Sequence, residues 1–158
     1  IAASQVLGGS GGDSMVLKGA VSNSTIDFGA DNDTFTLSVA ASTTTILGGA
    51  GADTLVFTTG ANLITSSVSG GEGNDSLVFS IAVNSAGSIA GGGVSDTMVF
   101  NSSLSGAAVS LDAGMDSVTF VTQVAGSYTL IGGAGTQTVQ FSSAADLATF
   151  DGAFGGGS

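Results

Sequence analysis

The chain has 158 residues and a formal net charge of -11, although only 8% of its residues are charged. Lys18 is the sole base, so the cationic side chains that neutralise nucleic-acid phosphates or dock on anionic lipid are lacking, and the charge balance invites a cation instead. With neither Cys nor His, disulfide frameworks, thiol chemistry, catalytic triads and His-based zinc sites are excluded.

Gly supplies 27 residues while 42% of the chain is hydrophobic. A flexible Gly-rich linker would lack that apolar content, so the glycines are expected to serve turns in a folded β structure. The apolar runs are four or five residues long, too short to span a bilayer as a helix. No secretory leader pattern and no Met opens the sequence, which suggests a mature or excised piece of a longer protein.

In chain order the sequence falls into repeats. An Asp closes each Gly-rich corner: Asp13, Asp33, Asp53, Asp75, Asp96 and Asp116, with Gln137 in the seventh place. Four residues after each anchor stands a large apolar side chain, namely Leu17, Leu37, Phe57, Phe79, Phe100, Phe120 and Phe141. Seven residues before each stands another: Val6, Ile26, Ile46, Val68, Ile89, Val109 and Leu130. The 12-residue block between these columns keeps its length, while the stretch between blocks varies from 9 to 11 steps. One corner is therefore geometrically fixed, and the return is expected to be a tolerant surface loop.

After each anchor the residues alternate with period 2, as in Thr54-Leu-Val-Phe57 and Ser76-Leu-Val-Phe79, which is a strand pattern with the larger apolar set inward. A second strand precedes each corner. The expected fold is all-β: a parallel β-solenoid of the β-roll or β-helix kind with seven to eight rungs, two short strands per rung and essentially no helix. Rungs are expected near 6–25, 26–45, 46–67, 68–88, 89–108, 109–129 and 130–149, with a partial rung at 150–158. Strands that pair on both sides cannot lose an N–H, and Pro is absent.

The corners at 8–13, 48–53 and 70–75 read GGSGGD, GGAGAD and GGEGND. They resemble the glycine- and aspartate-rich nonapeptide G-G-x-G-x-D-x-U-x of the RTX family, a calcium-binding β-roll repeat. That resemblance implies calcium held by corner carbonyls and carboxylates at Gly9, Gly11 and Asp13, at Gly49, Gly51 and Asp53, and at Gly71, Gly73 and Asp75. It extends in degenerate form to Asp31, Asp33, Asp96, Asp112 and Asp116. It fails at Gln137, where the carboxylate is missing, and it covers one corner per rung rather than two. Hard oxygen donors are what calcium selects. Electrostatics points the same way: carboxylates stacked about 4.8 Å apart repel by roughly 3.5 kcal/mol per neighbouring pair at an effective dielectric of 20. With Lys18 the one base in the chain, no file of protein cations is expected to relieve this.

The acidic residues follow the repeat rather than clustering once, so a carboxylate-pair glycosidase, and an enzyme generally, is not expected. Val16, Val56, Val78 and Val99 form an uncharged outer column beside Ser and Thr, a face suited to side-by-side packing. These features favour a calcium-stabilised structural module of an extracellular or cell-surface bacterial protein (surface layer, fibre or adhesin stalk) that self-associates side by side or end to end. The alternative is an RTX-like folding and secretion module of a secreted toxin or hydrolase. A third idea, ice binding through a regular Thr file, is weakened by the mixture of Ser, Val, Thr and Gln in the outer columns.

Overall fold

The computed structural model describes residues 1–60, 62–84, 87–122 and 127–142. Thr, Val, Ile, Leu and Phe alternating with small polar residues make short strands, and Gly-rich corners bend the chain between them. Among the described residues every regular element is a strand and none is a helix.

The rungs stack into three parallel sheets. The first comprises β1 (Gln5–Ser10), β4 (Thr25–Ala30), β7 (Thr45–Ala50), β10 (Ser67–Glu72), β13 (Ser88–Gly93), β16 (Ala108–Gly114) and β18 (Thr129–Gly135). Beyond the Gly-rich corner lies the second, formed by β2 (Ser14–Leu17), β5 (Thr34–Leu37), β8 (Thr54–Phe57), β11 (Ser76–Phe79), β14 (Thr97–Phe100), β17 (Ser117–Phe120) and β19 (Thr138–Phe141). The third holds β3 (Val21–Ser22), β6 (Ala40–Ser42), β9 (Asn62–Ile64), β12 (Val83–Asn84) and β15 (Leu104–Ser105). The fold is a parallel β-solenoid of about six turns, with about 21 residues per rung.

Two expectations are corrected. Among the described residues the first five rungs carry three strands rather than two, because the return is not a free loop. Val21, Ala41, Leu63, Val83 and Leu104 point inward from it and are buried. Length variation is absorbed on either side of this strand: the two extra residues of the 53–75 repeat fall between Phe57 and Asn62, and the one extra residue of the 75–96 repeat falls between Val83 and Ile89. The third strand is so short that alternation alone does not reveal it. The number of turns is also lower than the seven to eight expected, since seven stacked corners enclose only about six turns. The expected partial rung at 150–158 lies outside the described residues.

Pairing is in register throughout, so each column of the sequence becomes a file along one axis. Leu37, Phe57, Phe79, Phe100, Phe120 and Phe141 are successive Cα partners in the second sheet. From Phe57 to Phe141 the rings stack with centroids 4.7, 4.8, 5.2 and 5.0 Å apart and planes 4–13° from parallel. A single rung has too little apolar surface to fold alone, and stacking converts these rings into one core. Ser14, Thr34, Thr54, Ser76, Thr97, Ser117 and Thr138 form an outward file on the same sheet, beside Val16, Thr36, Val56, Val78, Val99, Thr119 and Gln140.

Phe79 is fully buried between two stacked rings, so Phe79→Ala is expected to cost about 3–5 kcal/mol, read as a drop in unfolding free energy by chemical denaturation.

Candidate cation site: the aspartate ladder

The corner between the first and second sheets turns on two positions of the G-G-x-G-x-D motif. Its second residue has positive φ in every described rung, from +58° at Asp112 to +159° at Gly133, with +108° at Gly9 and +120° at Gly71 and Gly92. A side chain at Gly49 or Gly71 would also meet the carbonyl oxygen of the glycine one rung below. The fourth residue is likewise left-handed: Gly11, Gly51, Gly73, Gly114 and Gly135, but also Asp31 and Val94, both at +80°. Where the first residue is glycine, as at Gly8, Gly48, Gly70 and Gly91, the anchor carboxylate packs over it, while Phe28 and Leu111 hold this place in two other corners.

The anchor aspartates all turn inward. Asp33, Asp53, Asp75, Asp96 and Asp116 are each at most 3% exposed, and Asp13, on the first rung, is half-buried. The N–H of each anchor donates to Oδ1 of the anchor one rung on: Asp13 to Asp33, Asp33 to Asp53, Asp53 to Asp75, Asp75 to Asp96 and Asp96 to Asp116, at 2.6–2.9 Å. Their carbonyls accept the N–H of the first residue of the next rung's second-sheet strand, as Thr54 donates to Asp33 at 2.9 Å. One carboxylate oxygen thus stands in for a strand hydrogen bond at the point where the backbone bends.

The other oxygen is orphaned. Oδ2 of Asp13, Asp33, Asp53, Asp75, Asp96 and Asp116 is buried without a hydrogen-bond partner. The result is a file of carboxylates along the inside of one edge. The ladder stops at Gln137, whose amide donates to the Gly114 carbonyl at 3.4 Å.

Asp31 and Asp112 do not join this file. Asp31 occupies the exposed fourth place and accepts the Gly11 N–H at 2.9 Å, while Asp112 occupies a second place and accepts the Ser110 hydroxyl. Gly9, Gly49 and Gly71 line the second place of their corners, and Gly11, Gly51 and Gly73 the fourth. Asn32 and Asn74 were not singled out from sequence, yet their Oδ1 atoms accept the N–H of Ala52 and Ser95 one rung on. A second inward file, Ser24, Thr44 and Ser66, satisfies backbone at the bend before the first sheet, with Ser4 and Thr44 donating to Ser24 and Ser66 at 3.2 Å. Its spacing matches the anchors, which is the signal that reveals it.

Burial pushes the Asp75 and Asp96 carboxyls up to about 6, partly offset by the N–H each accepts and reinforced by neighbouring carboxylate charge. Asp53 and Asp116 are raised as well, again chiefly by burial. Orphaned oxygens in a file, with raised pKa values, are groups that either hold protons or accept a cation. The donors are all hard oxygens and so fit calcium in kind. Among the described residues no three acidic side chains converge, so a calcium ion here would take most of its ligands from main-chain carbonyls.

A carboxyl whose pKa rises on folding stabilises the fold most at low pH, below the unfolded value of about 4, and loses that contribution as pH climbs through about 6. In metal-free buffer the melting temperature is therefore expected to fall between pH 4 and pH 7.5, and the slope to flatten in an Asp75→Asn/Asp96→Asn variant, followed by circular dichroism. Val94 is a β-branched residue held in the left-handed region and is 57% exposed, so Val94→Gly is expected to raise stability by about 1 kcal/mol, measured by denaturant titration.

No protein-family model, no curated protein and no solved structure matches the chain.

Proposed function

We propose that this chain is a rod-forming structural segment of an extracellular bacterial assembly, such as a surface layer, fibre or adhesin stalk, and that calcium at the aspartate ladder stiffens it. The observation that carries this reading is the unbroken register of like residues along the rod, which spans roughly 29 Å over six rung steps. Such a stack presents one repeated surface along each side. Repetition suits lateral assembly, in which each contact recurs at every rung, better than it suits a single reaction centre.

The second sheet supplies a face for that assembly. Its two outward files are Ser, Thr and Val with one Gln, and none of their members is charged. Two copies can bring these faces together while the net charge of -11 stays elsewhere. The acidic ladder supports the calcium part of the reading. Six inward anchors have no basic side chain to balance them, and a divalent ion would relieve both the repulsion and the orphaned Oδ2 atoms. Similarity of three corners to the RTX nonapeptide is consistent with this, and an exported protein meets the millimolar calcium that weak sites need.

Calcium is expected to raise the melting temperature by several degrees at pH 7.5, with EGTA reversing the gain, followed by circular dichroism. Electron microscopy with calcium present is expected to show laterally associated rods. Dispersed monomers under all calcium conditions would remove the assembly reading.

A further inference from the structure

We infer that two copies of this chain pair through their second sheets with the rods parallel and each rung facing its like. This inference rests on the lateral-assembly reading above and fixes the orientation that reading leaves open. It comes from the residues along the two long edges of the uncharged face.

The face is wider than its two files. Past each second-sheet strand the chain keeps register for one more residue. There Ser38, Thr58, Ser80, Asn101 and Val121 donate their N–H to the carbonyls of Leu17, Leu37, Phe57, Phe79 and Phe100, at 2.8–3.1 Å. Strand alternation turns their side chains outward, with Lys18 at the head of the column. Neighbours in it touch: Thr58 Oγ1 donates to Ser38 Oγ at 2.9 Å, and Asn101 Nδ2 to Ser80 Oγ at 3.3 Å. This third column is the return edge of the face. The opposite edge is the Gly-rich corner, at its fourth and fifth places.

Both edges change along the rod in the same sense. On the first two rungs they carry charge, Lys18 on the return edge and Asp31 on the corner edge, both exposed. On the rungs of Asp96 and Asp116 they are apolar. Val121 is 42% exposed on the return edge, and Val94 and Met115 are 57% and 72% exposed on the corner edge.

Two such faces related by a twofold axis meet in one of two ways. With the axis along the rod, the rods run parallel and the corner edge of one copy lies over the return edge of the other at the same rung. Lys18 of each copy then lies one rung, about 4.8 Å along the rod, from Asp31 of the other. Met115 of each meets Val121 of the other. With the axis along the strands, the rods run antiparallel, corner lies over corner, and the rung of Asp33 lies over that of Asp116. Asp31 then meets Met115 and Lys18 meets Ser142, so two carboxylates are desolvated against hydrocarbon and no base meets an acid. Only the parallel arrangement brings each kind of edge to its complement.

The face measures roughly 29 Å by roughly 15 Å, so a pair buries about 900 Å² in total, in the range of transient contacts. Pairing of two chains is accordingly weak and dependent on concentration.

The chain has no cysteine, so introduced cysteines report the pairing without interference. Thr34→Cys and Ser117→Cys, four rungs apart on the second sheet, are mixed in equal amounts and joined with a short bis-maleimide. Intact mass identifies which chains are joined, and circular dichroism checks that each variant is folded. Parallel rods are expected to join each variant to itself, with the mixed species well below its statistical share. A mixed species at or above that share overturns the parallel orientation and leaves lateral assembly standing. Joining no greater than that of Thr25→Cys, on the first sheet, overturns pairing through the second sheet itself. In sedimentation at low salt Lys18→Glu is expected to lower the dimer fraction severalfold and Lys18→Arg to keep it. Equal dimer fractions in the two overturn the parallel placement.

Discussion

Everything in this molecule depends on register. Each rung hydrogen-bonds to the next with Cα partners one repeat apart, so any residue placed once per repeat becomes a continuous file. At the tight corner the backbone bends and the sheet bonding would lapse. There the anchor carboxylate takes over, accepting the N–H of the rung before it through Oδ1. The Ser24 and Ser66 hydroxyls do the same at another bend. Side chains thus carry the ladder around the corners, and the rungs cannot slip without breaking both files at once.

Repetition multiplies whatever it repeats. For Phe57, Phe79, Phe100 and Phe120 it adds one ring contact per rung and builds the core. For the aspartates it adds a desolvated negative charge per rung, and this is why the pKa values of the central members rise. The same geometry that secures the backbone therefore creates an electrostatic load along the ladder. Protons relieve it at low pH, and in the proposed function calcium relieves it at neutral pH. Asp96 Oδ2 and the Met98 methyl both lie over Gly91, and buried Phe28 and Leu111 hold the first place in the corners closed by Asp33 and Asp116.

The exterior follows from the interior. Because inward positions are fixed by Leu and Phe, every second residue of the second sheet must face out, and those residues are Ser, Thr and Val. The rod thereby keeps one uncharged side while Asp27, Asp31, Glu72 and Asp112 belong to the first sheet and its corner. In the proposed function, a surface so divided directs assembly to that uncharged side.

The sequence by itself determined the solenoid, its period and the tight corner, because the 20–22-residue spacing of Asp and Phe can only be satisfied by stacked rungs. It also determined which residues form files, Asp53 over Asp75 among them. Tertiary structure alone decided the direction in which those files point and what meets them. The inward turn of the aspartates, the use of Oδ1 by a neighbouring N–H and the separation of Asp31 and Asp112 from the ladder depend on contacts between residues about 20 positions apart. The third sheet was hidden for a related reason: a strand of two or three residues has no period of its own, and Val21, Ala41 and Leu63 gain their meaning only from the core they close.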